Sequence, residues 1–276
     1  MEKRFDGKHV IVTGASAGIG KAIAQRFAAE GAEVLLLSRR KNALEDAVKS
    51  MKNEKAWYLL TDVSKIEDCE HAVAAAIQRW KQIDVLINNA GIDNGGFTPF
   101  LKNSYQLWEQ VINTNLRGAF VMSQLVAQNM IEHGGVILNN SSIAGITAEP
   151  GAVAYNCSKA GLISLTQTMA IELAPYKIRV NCVSPGWTLT EMTTNVTSSE
   201  TLKYLNTNFE RVPMRRLVLP EEIAATFAFL ASNDASGITG QNIIIDGGTT
   251  ANLYTVEVIA AKDPVIRSFL SGERAK

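Results

Sequence analysis

Short apolar, β-branched runs alternate along the chain with longer stretches whose apolar residues return every three or four positions. HVIVT precedes GKAIAQRFAAE, EVLLLS precedes NALEDAVKSMK, and WYLLTD precedes EDCEHAVAAAIQRW. The rhythm continues through DVLINNA, a helical stretch from about Trp108 to Met130, GVILNN, a helical stretch from Val153 to Leu173, RVNCVS, Pro220 to Ala231, and NIIID. Seven strands are predicted. Because their runs are apolar on both faces, the pattern predicts an α/β fold, a doubly wound parallel sheet covered by helices on each side. Two segments break the rhythm: a long polar stretch from Thr188 to about Val212, and a tail after Gly248.

Composition narrows the class. With 276 residues, 46% of them hydrophobic, the chain can bury one sizeable core, and residues 1–248 are read as a single domain with a C-terminal extension over 249–276. The 27 basic residues balance the 27 acidic ones, so no net field favours nucleic acid or an anionic membrane. The apolar run before Gly14 is too short for a signal-peptide core or a membrane span. Cys69, Cys157 and Cys182 are widely spaced, without a CxxC pair or a His cluster, and read as free thiols in a reducing, cytoplasmic setting with no metal site.

TGASAGIG, Thr13 to Gly20, follows the first strand and opens the first helix, the context a phosphate-binding glycine loop requires. Gly14 permits a tight turn, and Gly18 and Gly20 let the backbone approach a diphosphate at the helix N-terminus. A Rossmann-type dinucleotide fold is therefore expected. Where such folds prefer NAD, an acidic residue ends the second strand; here the strand ends in Ser38, Arg39 and Arg40. A guanidinium there would pair with a 2′-phosphate, which favours NADP(H), with Arg39 as the first candidate.

Tyr155 and Lys159, in YNCSKAG, lie four apart in a helical stretch and so share one face. An ammonium within about 4–6 Å of a phenol favours the phenolate, so the lysine is expected to lower the tyrosine pKa. SSIAG ends the fifth strand at the carboxyl edge of the sheet, where Ser142 can meet Tyr155 and donate to a substrate oxygen. Hydrolysis is disfavoured: His9, His71 and His133 are not placed to activate a serine, and no GxSxG elbow exists.

Taken together, these motifs resemble the classical short-chain dehydrogenase/reductase family from Lys8 to Gly248. TGASAGIG is similar to the family's cofactor loop, Asp62-Val63 to its adenine contact, NNAG at Asn88 to Gly91 to its central-strand motif, and Asn115 to its catalytic asparagine. Ser142, Tyr155 and Lys159 match the catalytic serine, tyrosine and lysine, and PGWTLTEM from Pro185 to Met192 the segment that holds the nicotinamide. The resemblance implies cofactor contacts at Gly14, Ser16, Gly18, Ile19, Gly20, Ser38, Arg39, Arg40, Asp62, Val63, Asn89, Ala90, Gly91, Tyr155, Lys159, Pro185, Gly186, Thr188 and Thr190. It also implies a proton relay in which Tyr155 exchanges a proton with the substrate oxygen, Ser142 orients that oxygen, and Lys159 holds the ribose. Asn115 would hold a water beside the lysine. Ketone–alcohol interconversion with NADP(H) and a homotetramer or homodimer are the expected activity and assembly. An NAD(H)-preferring dehydrogenase and a non-catalytic dinucleotide-binding regulator are the alternatives.

Candidate substrate contacts are Ser142, Ala144, Glu149, Trp187 and Met192, with Phe97, Ile143, Tyr204, Leu205 and Phe209 as further pocket residues, suggesting a mainly apolar carbonyl or alcohol substrate. Glu149 could bind a substrate amine or hydroxyl, or lie on a surface loop. In the tail, Asp263 can cap a short helix with Pro264 at its first position, and Val265, Ile266, Phe269 and Leu270 form an apolar stripe suited to docking against the body or a neighbouring subunit, with an untethered, frayed tail as the alternative.

Overall fold

The computed structural model describes residues 3–51, 54–93, 98–194 and 198–252. Seven strands form one sheet: β1 (His9–Thr13), β2 (Glu33–Ser38), β3 (Ala56–Leu60), β4 (Val85–Asn88), β5 (Gly135–Asn140), β6 (Ile178–Pro185) and β7 (Asn242–Ile245). Their order is β3-β2-β1-β4-β5-β6-β7, and every neighbouring pair is parallel. The helices are α1 (Gly18–Ala29), α2 (Lys41–Met51), α3 (Ile66–Trp80), α4 (Tyr105–Ile112), α5 (Gly118–Met130), α6 (Val153–Leu173), α7 (Glu191–Thr194), α8 (Ser199–Thr207) and α9 (Pro220–Ala231).

Alternation along each strand splits the core into two layers. Val10 and Val12 of β1 join Ile23 and Phe27 of α1, Leu44 of α2 and Phe227 of α9 on one face. Ile11, between them, joins Val73 of α3 and Met122 and Val126 of α5 on the other. Phe27 and Phe227 are fully buried, and each stabilises the first layer by about 1.5–3 kcal/mol. The predicted doubly wound, Rossmann-type sheet with helices on both faces is thus present. Strand order reverses between β1 and β4, which opens a crevice at their carboxyl ends, the place where such sheets take ligands.

Two predicted stretches are more structured than their sequences suggest. The helix expected from Trp108 to Met130 starts at Tyr105, where the Ser104 side chain accepts from Leu107 N–H, and is interrupted by a π-helical turn at Asn113–Arg117. Such turns widen the helix locally, and this one carries the fully buried Asn115. The polar stretch after Thr188 holds α7 and α8, and Phe209, Val212 and Leu217 form a small core beneath α8 with Trp187, Leu189, Leu202 and Leu205. Phe97, the side chain of Met192 and the helix expected near Asp263 lie outside the described residues. Among the described residues no helix is long and apolar enough to cross a membrane, and no cluster of three His, Cys, Asp or Glu is arranged to hold a metal.

Candidate active site

The glycine loop is shaped by its neighbours. Gly14 has φ +64°, and a Cβ there would lie 2.8 Å from Ala90 Cα. A Cβ on Gly20 would lie 2.3 Å from Asn89 Nδ2 and 2.4 Å from the Gly14 carbonyl oxygen. Asn89 fills that space in order to donate to the carbonyls of Thr13 and Gly14, at 3.0 and 3.2 Å. Gly20 is therefore required by the protein's own packing, a reason the sequence does not show. Thr13 Oγ1 accepts from the amides of Asn89 and Ala90, both at 3.0 Å, and so fixes β1 against the NNAG segment. Gly18 has φ +52°, and Thr190 packs against it.

This cradle suits an anion. The residue before α1, Ala17, offers no side-chain cap, and the first turn carries no acidic residue, so the positive end of the helix dipole can face an anion without competition from a carboxylate of its own turn. Ile19 packs against the α1-side core, anchoring the helix start.

At the end of β2, Ser16 and Ser38 hydroxyls meet at 2.9 Å. Arg40 Nη2 donates to Ser16 Oγ at 3.2 Å, while its Nη1 faces Glu191 of α7 at 3.4 Å. Arg39, the first sequence candidate, turns instead toward Asp62, at 3.9 Å. Burial opposes ionisation of Asp62, but the Ser64 hydroxyl and amide, with Arg39 and Lys65, hold its carboxyl below the ordinary range. Val63 is buried, with its carbonyl against Gly118. Glu191 carried no signal in the sequence, because an exposed glutamate in a polar stretch resembles any surface residue.

Ser142, Tyr155 and Lys159 converge at the end of β5. The Ser142 hydroxyl accepts from Ala144 N–H at 3.1 Å and stands close enough to the Tyr155 phenol to favour its ionised form. Lys159 is 4% exposed; its ammonium lies 5.5 Å from the Tyr155 ring centre and donates to the Asn140 carbonyl at 2.7 Å. Ser141 donates to the Lys159 carbonyl at 2.7 Å, tying α6 to the strand end. Burial pushes the Tyr155 phenol up to about 12; the Ser142 hydroxyl pulls it down, and the carboxylates of Asp93 and Glu149 add to the rise. Burial likewise pushes Lys159 down to about 8. Against the expectation that the lysine lowers the phenol, burial is the largest influence and raises it, so the phenol holds its proton at neutral pH.

The Asn115 carboxamide is engaged with the chain, accepting from Ile92 N–H and donating to Ile92 carbonyl, both at 2.8 Å, and donating to Ser158 Oγ at 3.1 Å. It fixes the segment after Gly91, where a Cβ would lie 3.5 Å from both Asn115 Oδ1 and Lys159 Nζ. Ser158 escaped the sequence reading because nothing separates it from other helix serines.

On the far side of the crevice, Pro185 ends β6, and a Cβ on Gly186 would lie 2.7 Å from Asp246 Cβ. Thr188 is buried and bridges to Val218, and the Thr190 carbonyl accepts from Thr193 and Thr194 amides to start α7. Trp187 packs edge-on to Phe209 at 5.7 Å, within the small core. Of the other substrate candidates, Ala144 is buried beside Ser142. Glu149 is half-buried; burial raises its pKa, Arg211 lowers it and Asp93 raises it again.

The family model described as enoyl-(acyl carrier protein) reductase matches residues 14–250. The chain is 40% identical over 248 residues to a 3-oxoacyl-[acyl-carrier-protein] reductase of Thermotoga maritima, covering 89% of this chain and 98% of that protein. It is 38% identical to an NAD-dependent glycerol dehydrogenase of Listeria innocua over 88% of this chain and 94% of the relative. A crystal structure of actinorhodin polyketide ketoreductase with NADPH superposes with a TM-score of 0.83 at 32% identity, covering 91% of this chain and 100% of the other. With the glycine cradle and the Ser142, Tyr155 and Lys159 cluster on one sheet edge, these matches establish that the chain belongs to the short-chain dehydrogenase/reductase family of NAD(P)(H)-linked oxidoreductases.

Proposed function

We propose that this chain interconverts a ketone and a secondary alcohol with NADP(H), using Tyr155 as general acid in reduction and general base in oxidation. The observation that supports this best is the meeting of Ser142, Tyr155 and Lys159 at the carboxyl edge of β5, beside a glycine cradle suited to a diphosphate. When bound, the nicotinamide supplies or receives the hydride. Tyr155, kept protonated by burial, gives its proton to the substrate oxygen as charge develops there. Ser142 sits on the phenol and directs the same oxygen. Lys159, held on the Asn140 carbonyl, is the next proton carrier.

Ser16, Ser38, Arg39 and Arg40 form the polar corner that would take a 2′-phosphate, which supports NADP(H). NAD(H) preference is the competing reading, favoured by Glu191, whose carboxylate faces Arg40 and offsets its charge. Ser142, Ala144 and Glu149 would line the substrate side. Assembly as a homotetramer or homodimer is supported by exposed Leu101, Tyr105, Trp108 and Phe120 along and beside α4 and α5. Light scattering of the purified chain reads it directly.

The decisive variant is Tyr155→Phe. It is expected to bind NADPH normally and to lose turnover by roughly 10²–10⁴-fold against a panel of ketones and alcohols, followed with NADPH and NADH in parallel. Retained turnover would sink the acid/base role, and equal rates with both cofactors would sink the NADP(H) preference.

A further inference from the structure

Asn140 was not among the residues that the sequence singles out, yet it joins the two halves of the site. Its main-chain carbonyl receives the Lys159 ammonium at 2.7 Å. Its side-chain N–H donates to Asn89 Oδ1 at 2.8 Å, and Asn89 in turn grips the glycine-loop carbonyls of Thr13 and Gly14. That chain of donors fixes which way the carboxamide faces. Asn89 must present N–H to the loop carbonyls, so it presents oxygen to Asn140, which must answer with its own N–H.

The Asn140 Oδ1 atom is thereby left as the free end. It is buried without a hydrogen-bond partner among the described residues, in a side chain only 7% exposed. A buried carboxamide oxygen without a donor costs about 1–3 kcal/mol, so its presence at the strand end calls for a donor that the described residues do not supply. Alternation along β5 puts Asn140 on the α1 face with Val136 and Leu138, while Asn139 bonds Thr166 of α6 on the other. Asn140 thus stands between the loop that suits a diphosphate and the lysine at the catalytic end. A dinucleotide anchored at the loop and reaching Tyr155 must cross this position.

We propose that Asn140 is a cofactor-positioning residue whose side-chain oxygen accepts a hydrogen bond from the nicotinamide–ribose half of the dinucleotide. This rests on the chain binding a nicotinamide dinucleotide and not on the preference for its phosphate.

The test compares dissociation constants, read by quenching of protein fluorescence, in wild type and Asn140→Leu. NADPH is the whole ligand, and adenosine 2′,5′-bisphosphate is its adenosine half. The expected result is roughly tenfold weaker NADPH binding with the bisphosphate changed less than twofold. A parallel loss for both ligands overturns the proposal, because Asn140 would then act only through Asn89 on the loop; no loss for either overturns it equally. The 3-acetylpyridine analogue of NADPH lacks the carboxamide N–H donors. If Asn140→Leu leaves its affinity unchanged, the bonded donor is the carboxamide; if its affinity still falls, the donor is a ribose hydroxyl. Either result supports the acceptor role. If Asn140→Leu does not fold, Asn140→Ala carries the same comparison. Should the wild type bind NADH in preference, NADH and AMP replace the pair and the NADP(H) reading alone fails. Wild type that binds neither dinucleotide fails the cofactor reading itself.

Discussion

The corner formed by Ser16, Ser38, Arg39 and Arg40 makes a quantitative claim about cofactor choice, and the two arginines are predicted to contribute unequally. A full charge about 4 Å from a phosphate at an effective dielectric of about 20 is worth roughly 4 kcal/mol. The Arg40 side chain is 57% exposed, so solvent reduces this toward the value of a charge-assisted hydrogen bond, about 1.5–3 kcal/mol. Loosening the contact with Glu191, itself exposed, subtracts up to about 1 kcal/mol. The remainder, about 0.5–2 kcal/mol, predicts that Arg40→Ala weakens NADPH binding about 2–30-fold while NADH stays within twofold. Arg39→Ala is predicted to cost only a few-fold, because that guanidinium is shared with Asp62. Glu191→Gln should tighten NADPH by releasing Arg40. Fluorescence titration at low and high salt measures all three, and the NADPH-specific loss should shrink as salt rises. Equal weakening of NADPH and NADH by Arg40→Ala would refute the assignment of this corner to the phosphate. A loss confined to Arg39→Ala would return the role to the residue first expected.

Three further outcomes follow from the packing and the charges. Gly20→Ala forces a Cβ into the Asn89 amide and the Gly14 carbonyl, so a loss of about 1–3 kcal/mol in thermal unfolding is expected together with weakened binding of NADPH and of adenosine 2′,5′-bisphosphate alike; unchanged melting would contradict the clamp. Lys159, pushed down by burial to about 8, is charged below that pH and neutral above it, so ketone reduction should be level up to about pH 8 and then fall, while Tyr155 near 12 stays protonated throughout. Lys159→Arg, whose charge does not titrate there, should abolish that inflection, and its persistence in the variant's pH profile would assign it elsewhere. Burial opposes ionisation of Glu30, but Arg4 and Arg26 hold its carboxyl below the ordinary value, so its stabilisation is complete above the unfolded pKa and is lost as pH falls through the folded one. Glu30→Gln should therefore lower stability near neutrality and flatten the acid limb in thermal melts between pH 7 and pH 3; an unchanged limb would remove Glu30 from the acid response.

The parts of this molecule written in periodicity were readable, and those written in contact were not. Short apolar runs interleaved with the three-to-four repeat of the helices announce the sheet, and a strand end followed by SSIAG puts Ser142 on its edge before any coordinate is known. The π-helical turn at Asn113–Arg117 is invisible to the same reading, because it shifts the apolar repeat by about one position, a shift that a spacing of three or four residues absorbs. Trp187, Leu189, Leu202 and Leu205 build a core under α8, but they are scattered among threonines, serines and asparagines, so the stretch reads as a polar loop. Arg39 and Arg40 follow the strand as it ends, where the two-residue alternation no longer says which side chain faces which way.

The glycine loop shows that one small residue can answer to two different demands. Its sequence suggests that Gly20 is small so that a diphosphate can come close. The structure puts the Asn89 amide and the Gly14 carbonyl where a Cβ would stand, so the loop is pinned by the segment beside it through four hydrogen bonds: two from Asn89 to Thr13, one from Asn89 to Gly14, and one from Ala90 to Thr13. A loop held in this way does not need to be ordered by its ligand, and the conformational cost of binding is correspondingly small. The same asparagine passes its oxygen to Asn140, whose carbonyl receives Lys159. The shape of the glycine loop and the position of Lys159 are therefore linked through Asn89 and Asn140 by hydrogen bonds that run from β1 past the end of β4 to β5, and a change at either end should be felt at the other.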